Sequence, residues 1–193
     1  PDGATARGIA SLPESVRDQL KELSTQAKRH GGVHAASGTL GSKSRDKSAR
    51  MALLGIIFNS AGLPEQYPVA RFVMWLKSEG MYDQVRGFVE QGGHSWDEEL
   101  DNFYVAEGLH AALVKAKPNL FASTSSCVDT LNNLYPYVQD VSSSDMIKAI
   151  KQALTKYGKF PLTLVVIDEV QQYIGEDSQR SIDVQETVEA CSK

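Results

Sequence analysis

The run Leu162 to Glu169, LTLVVIDE, constrains this chain more than any other stretch. Its Leu, Val and Ile content shows none of the apolar/polar alternation of a half-exposed strand. It reads instead as a central parallel strand covered on both faces, and so calls for an α/β layer somewhere in the chain. Two acids close the run. Ligands of parallel α/β sheets bind beyond the carboxyl ends of the strands, which is where Asp168 and Glu169 fall. In an extended chain consecutive side chains point to opposite sides, so one acid can serve a metal while the other faces a water. The plainer alternative is that the acids only cap the positive end of a following helix.

An apolar strand ending in Asp-Glu is the pattern of a Walker B segment. In that reading Asp168 holds Mg²⁺ through water, the ion bridges the β- and γ-phosphates of ATP, and Glu169 is the catalytic carboxylate that positions the attacking water. A Walker A loop, G-x-x-x-x-G-K-[ST], must precede such a strand, and none occurs in this sequence. The nearest approach is Gly38-Thr39-Leu40-Gly41-Ser42-Lys43-Ser44. It has two residues between its glycines instead of four, and Ser42 intrudes before Lys43. Lys43 is a weak candidate for a phosphate contact, and a flexible strand-to-helix connection is the alternative. The chain opens on Pro1-Asp2-Gly3 and stops at Cys191-Ser192-Lys193 within a helical pattern. It therefore reads as a piece of a longer polypeptide whose phosphate-binding loop lies upstream.

Elsewhere the periodicity is helical. Ser11-Leu12-Pro13-Glu14 has the form of a capping box, followed by Val16, Leu20, Leu23 and Ala27 at helical spacing to about Gly31. Val33 to Thr39 reads as a short strand. From Asp46 helices follow one another. Gly62, Gly80 and Gly92-Gly93 close three of them. Ser95-Trp96-Asp97-Glu98 is a capping box expected to open one helix running through Leu100, Phe103, Leu109 and Leu113. Ser126 to Leu134 reads as a short helix. Ser142 caps a longer one ended by Gly158, and Gly175-Glu176-Asp177 breaks the chain before a last helix. The expected organisation is an α/β, predominantly helical chain. Residues 1–45 and 159–193 would form a partial P-loop NTPase core, and residues 46–158 an all-helical insertion of about 110 residues, far longer than ordinary strand-to-helix connections.

Composition narrows the remaining choices. The 41% hydrophobic and 23% charged fractions are those of a folded globular chain, and no apolar run approaches the roughly 18 residues of a membrane span. A net charge of −4 gives no overall signature of nucleic-acid binding. Lys43, Arg45, Lys47 and Arg50 form one local basic cluster that could meet phosphate, DNA backbone or another subunit, or simply be a solvated helix start. Arg180 is a weak candidate for an arginine finger acting in trans. Cys127 and Cys191, far apart and without metal-ligand spacing, read as small buried apolar residues. The four histidines give no catalytic pair. Trp75, Trp96, Phe72, Phe88 and Phe103 recur at helical spacings and read as core.

Three longer runs go beyond these generic patterns. GLPEQYPVARFVMWLKSEG (Gly62 to Gly80), WDEELDNFYVAEGLHAAL (Trp96 to Leu113) and KFPLTLVVIDEVQQYIGEDSQRSIDVQETVEAC (Lys159 to Cys191) resemble the large BREX-type P-loop ATPases, the BrxC and PglY-like proteins of bacterial phage-exclusion systems. The resemblance covers the chain from about His30 onward. It implies a very large, oligomeric, cytoplasmic ATPase related to the AAA+ class. Walker A would lie near the N-terminus of that protein, ATP and Mg would be its cofactors, and other phage-defence subunits its partners. DNA would be met indirectly and membranes not at all. By the same resemblance Asp168 matches the Walker B aspartate and Glu169 the catalytic glutamate. Walker A, a sensor strand and a lid domain are missing from these residues, so the isolated piece is expected to hydrolyse nothing. The rival readings are a non-catalytic helical scaffold and a DNA-binding module built on the Lys43 to Arg50 cluster with the aromatic helices.

Overall fold

The computed structural model describes residues 11–41 and 44–192. Lys43 lies outside them. Two strands, β1 (Val33–Thr39) and β2 (Leu162–Asp168), pair in one sheet, and β1 spans the residues its sequence pattern indicates. The register is parallel: Gly31 N–H donates to Phe160 O at 3.1 Å, Leu162 N–H to Gly32 O at 2.9 Å, and Leu40 N–H to Asp168 O at 2.8 Å. The chain divides into two compact units, Pro1–Ala36 with Leu154–Val166 and Ser37–Ala153 with Ile167–Lys193. The division thus falls inside both strands rather than between strands and helices. The whole is predominantly helical with a small parallel sheet, and two strands do not amount to a P-loop NTPase core.

One expectation about β2 fails. Leu164 and Val166 are each 54% exposed, and burial alternates along the strand instead of extending to both faces. A continuous apolar run shows that both faces would tolerate burial. It does not supply the layer that would cover them, and among the described residues β2 has β1 as its one neighbour.

In the first unit α1 (Glu14–Ala27) buries only Ala27, and Val16 and Leu20 are 37% and 38% exposed. Pro13 stands at its N-cap position, and Val16 and Arg17 N–H bond to Pro13 O.

The second unit holds the helices α2 (Ala49–Ser60), α3 (Tyr67–Ser78), α4 (Tyr82–Gln91), α5 (Trp96–Asp101), α6 (Glu107–Ala116), α7 (Thr124–Leu134), nearly all of α8 (Ser143–Leu154), α9 (Val170–Ile174) and α10 (Ser178–Cys191). Local chemistry places most of their ends. Ser48, Ser95, Ser123, Ser142 and Asp177 each accept from a backbone N–H two or three residues on. At the end of α3, Met81 N–H reaches Leu76 O and Gly80 N–H reaches Lys77 O, with Gly80 at φ 67. This is a Schellman motif, and it needs a left-handed residue that glycine adopts without a Cβ clash.

The single helix expected from Ser95 to Leu113 is two, α5 and α6. Asn102 turns its side-chain amide onto Glu98 O at 2.9 Å, and Glu99 Oε2 accepts the Leu109 N–H at 2.7 Å. A carboxylate of one helix therefore caps the start of the next, which no periodicity reveals. The other Glu99 oxygen pairs with His94 Nδ1 at 2.9 Å.

The core of this unit is aromatic. Phe72, wholly buried, meets Phe103 at 5.0 Å and Tyr135 at 5.7 Å between ring centroids. Cys127 is buried there, whereas Cys191 is exposed, so only one of the two expected buried thiols is found. Burial pushes the Cys127 thiol up to about 11. His110, 3% exposed, meets Phe103 O through Nε2 at 3.1 Å. Burial lowers its pKa below 6.5, against smaller raising effects of the Phe103 carbonyl and the Glu99 charge. A depressed histidine contributes stability that is present above the unfolded-state value and is lost as pH falls through the folded-state value. We expect unfolding free energy to drop as pH falls from 6.5, and His110→Gln to flatten that slope in denaturant titrations. An unchanged slope would contradict a neutral buried imidazole.

Among the described residues no helix is long and apolar enough to cross a membrane.

Candidate functional site

The carboxyl ends of β1 and β2 lie side by side, joined by the Leu40 to Asp168 hydrogen bond, so Leu40-Gly41 and the Asp168-Glu169 pair leave the sheet together. Asp168 and Glu169 are both exposed, as a site open to a ligand requires. Their side chains separate, but not by strand alternation. Glu169 has left the strand: at φ 58, ψ 21 it is left-handed and forms the N-cap position of α9. Asp168 Oδ1 accepts Glu169's own N–H at 2.7 Å, while the Glu169 carboxylate lies over Gly41. A Cβ on Gly41 would stand 2.7 Å from Glu169 Oε2. That is closer than real Cβ contacts come, so glycine at this position leaves room for the carboxylate. A non-glycine residue at positive φ costs on the order of 1–2 kcal/mol, and such strain gathers at functional positions.

What holds the strained corner is a set of long-range ties between the β1–α2 connection and α9. Arg45 donates through Nε and Nη2 to Gln172 O at 3.0 and 2.7 Å. Tyr173 donates its hydroxyl to Lys47 O at 2.9 Å. Arg180 reaches Tyr173 O at 3.2 Å and Arg45 O at 3.3 Å, and its guanidinium stands over the Tyr173 ring. Tyr173 is 2% exposed, packed with Leu40, Ala49 and Ala52, with Ile167, Val170, Ile174 and Val184 against them. Burial raises its pKa, the Arg180 charge opposes this, and the nearby carboxylates Asp183, Asp140 and Asp177 add smaller raising effects. Tyr173 was missed in the sequence. Its one signal is an aromatic residue one helical turn after Glu169.

The basic cluster is taken apart by this arrangement. Arg45 is bound to α9, and Arg50 forms an ion pair with Asp140 that Ser48 joins. Burial opposes ionisation of Asp140, but hydrogen bonds from Arg50, Ser48 and the Val141 N–H prevail and hold its pKa below the usual carboxylate range. Lys47 is exposed, and the Lys43 assignment falls outside the described residues. Arg180 works within its own chain, binding Asp177 as well as the two carbonyls. Of the aromatic residues, Phe72, Phe103 and Trp96 are buried, which removes them from any stacking surface.

Among the described residues no group of three or more His, Cys, Asp or Glu could hold a metal ion by itself. Two exposed carboxylates still suit Mg²⁺, which prefers hard oxygen donors, keeps several waters, and is usually bound through one or two carboxylates plus substrate phosphates. No protein-family model matches this chain, and no solved structure matches it.

Proposed function

We propose that the paired strand ends form part of the site of a cytoplasmic, Mg-dependent P-loop ATPase of the BREX phage-defence type, completed by a Walker A loop elsewhere in a longer polypeptide. One observation carries the reading: two adjacent exposed acids at the carboxyl end of a parallel strand, the second held in a left-handed turn with its carboxylate against Gly41. A mere helix cap needs neither the strain nor the second acid, and Glu169 makes no side-chain cap hydrogen bond to α9.

In this reading Asp168 would hold Mg²⁺ through water, and Glu169 would accept a proton from the water that attacks the terminal phosphate as its bond to the ADP leaving group breaks. Bound Mg²⁺ would supply charge neutralisation on the phosphates. Arg45, Tyr173 and Arg180 keep α9, and with it Glu169, in register with the β1–α2 connection. Hydrolysis would drive rearrangement of an oligomeric defence complex.

The test is nucleotide binding by the polypeptide that joins this chain to a G-x-x-x-x-G-K-[ST] loop. Asp168→Asn is expected to weaken Mg-ATP about tenfold or more while leaving metal-free ATP unaffected, because the lost interaction is an oxygen contact to the ion's shell. Equal weakening with and without Mg²⁺, or none, would remove Asp168 from the metal role.

A further inference from the structure

We infer that the hairpin tip at residues 156–160, with residues 28–30 beside it, is a binding surface for single-stranded nucleic acid. After α8 the chain reverses in a two-residue turn: Lys156 N–H donates to Lys159 O at 3.1 Å and Lys159 N–H to Lys156 O at 3.0 Å. The two central residues, Tyr157 and Gly158, have φ 51 and 74. Positive φ at both marks a type I′ turn, whose first central position suits Asn, Asp or Gly. Tyr157 is strained there, and its ring, 104% exposed, gains no packing that would offset the strain. An aromatic ring held at a strained tip in full contact with water is left for something else to cover.

The surroundings say what kind of ligand. Gly31 N–H donates to Phe160 O at 3.1 Å, and a Cβ on Gly31 would stand 2.8 Å from Lys159 O, so the chain leaving α1 lies against the hairpin. Lys28, Arg29 and His30 are exposed on that segment, as are Lys156 and Lys159 on the tip. Lys28, Arg29, Lys156 and Lys159 have no ion pair or hydrogen-bonded carboxylate among the described residues. Residues 27–36 and 154–166 contain no Asp or Glu at all, in a chain whose net charge is −4. The positive field is felt locally: after burial, the charge of Lys156 is what lowers the pKa of His34.

Free cations around an exposed ring match a phosphate backbone with a base that stacks. The base must be unpaired to offer its face, which favours single strands over duplex. A membrane surface fits less well, since membrane-bound segments bury a continuous apolar face and this tip presents one tyrosine with Phe160 at 37% exposure.

The experiment is fluorescence anisotropy of labelled oligo-dT and oligo-U of about 15 nucleotides with this chain at about 50 mM salt. Tyr157→Asn suits the turn better than tyrosine does, so it should fold with an undiminished melting temperature. It is expected to weaken binding about 5- to 150-fold, the equivalent of one stacked base. Lys156→Gln and Lys159→Gln should each lower the salt slope by about 0.7. Tyr157-dependent binding of oligo-dT supports DNA as the source and of oligo-U supports RNA. The inference is overturned by no binding of either, by affinity unchanged in Tyr157→Asn, by duplex bound as tightly as single strand, or by Tyr157-dependent binding of phosphatidylserine vesicles or polyglutamate in place of the oligonucleotides. The surface uses neither Asp168 nor Glu169, so these outcomes bear on it alone.

Discussion

Glu169→Gln is expected to cut ATP turnover of the Walker A-containing polypeptide by about 10²–10⁴-fold while Mg-ATP stays bound, the effect of removing a general base from an otherwise intact site. Gln keeps the length and hydrogen-bonding reach of Glu, and the corner that positions it is held by Arg45, Tyr173 and Arg180, none of which touches the Glu169 carboxylate. Binding should therefore survive where proton transfer does not. A companion variant separates function from folding. Glu169→Gly places the residue type that the left-handed φ of 58 favours, and it is expected to raise stability by about 1 kcal/mol while turnover falls just as far. A side chain that costs stability and supports turnover is what a functional carboxylate predicts. Glu169→Gln with unchanged turnover would leave the acids as structural caps.

The largest stability effect should come from Phe72→Ala. Phe72 is wholly buried, and its ring meets Trp75, Phe103 and Tyr135 at 6.0, 5.0 and 5.7 Å. Truncation leaves a cavity that close-packed neighbouring rings and helices close only in part. The expected cost is about 3–5 kcal/mol, a lowering of the melting temperature by about 6–20 °C in a chain of this size. Val105, 73% exposed in the α5–α6 connection, is the matched control, and Val105→Ala should stay within about 0.5 kcal/mol of the parent. Equal shifts in the two variants would mean that the aromatic cluster is not the core of the helical unit.

The candidate site was legible in part. LTLVVIDE gave both acids and the strand that carries them, because seven consecutive strand residues and a charged terminus are local facts. The loop after β1 was also visible as glycines between a strand and a helix. That Gly41 touches the Glu169 carboxylate was not, since the two are far apart in the chain. The basic cluster misled for the same reason. Arg45 and Arg50 look like a solvated or phosphate-seeking patch until their partners Gln172 and Asp140, distant in sequence, come into place.

By itself the sequence determined the caps at Ser95 and Ser142 and the glycine-terminated helices. Each of these is closed by hydrogen bonds spanning three to five residues, and short loops cost little entropy to form. The bounds of β1 were legible too, as small and β-branched residues between glycines, although its pairing bonds run to distant β2. Only the tertiary structure decided that α5 and α6 are separate, that one face of β2 stays open, that Glu169 turns left-handed, and that Tyr157 stands strained and uncovered. Those outcomes depend on which distant group supplies a hydrogen bond or a covering surface, and on which residue is held away from its preferred backbone region by neighbours that local patterns do not encode.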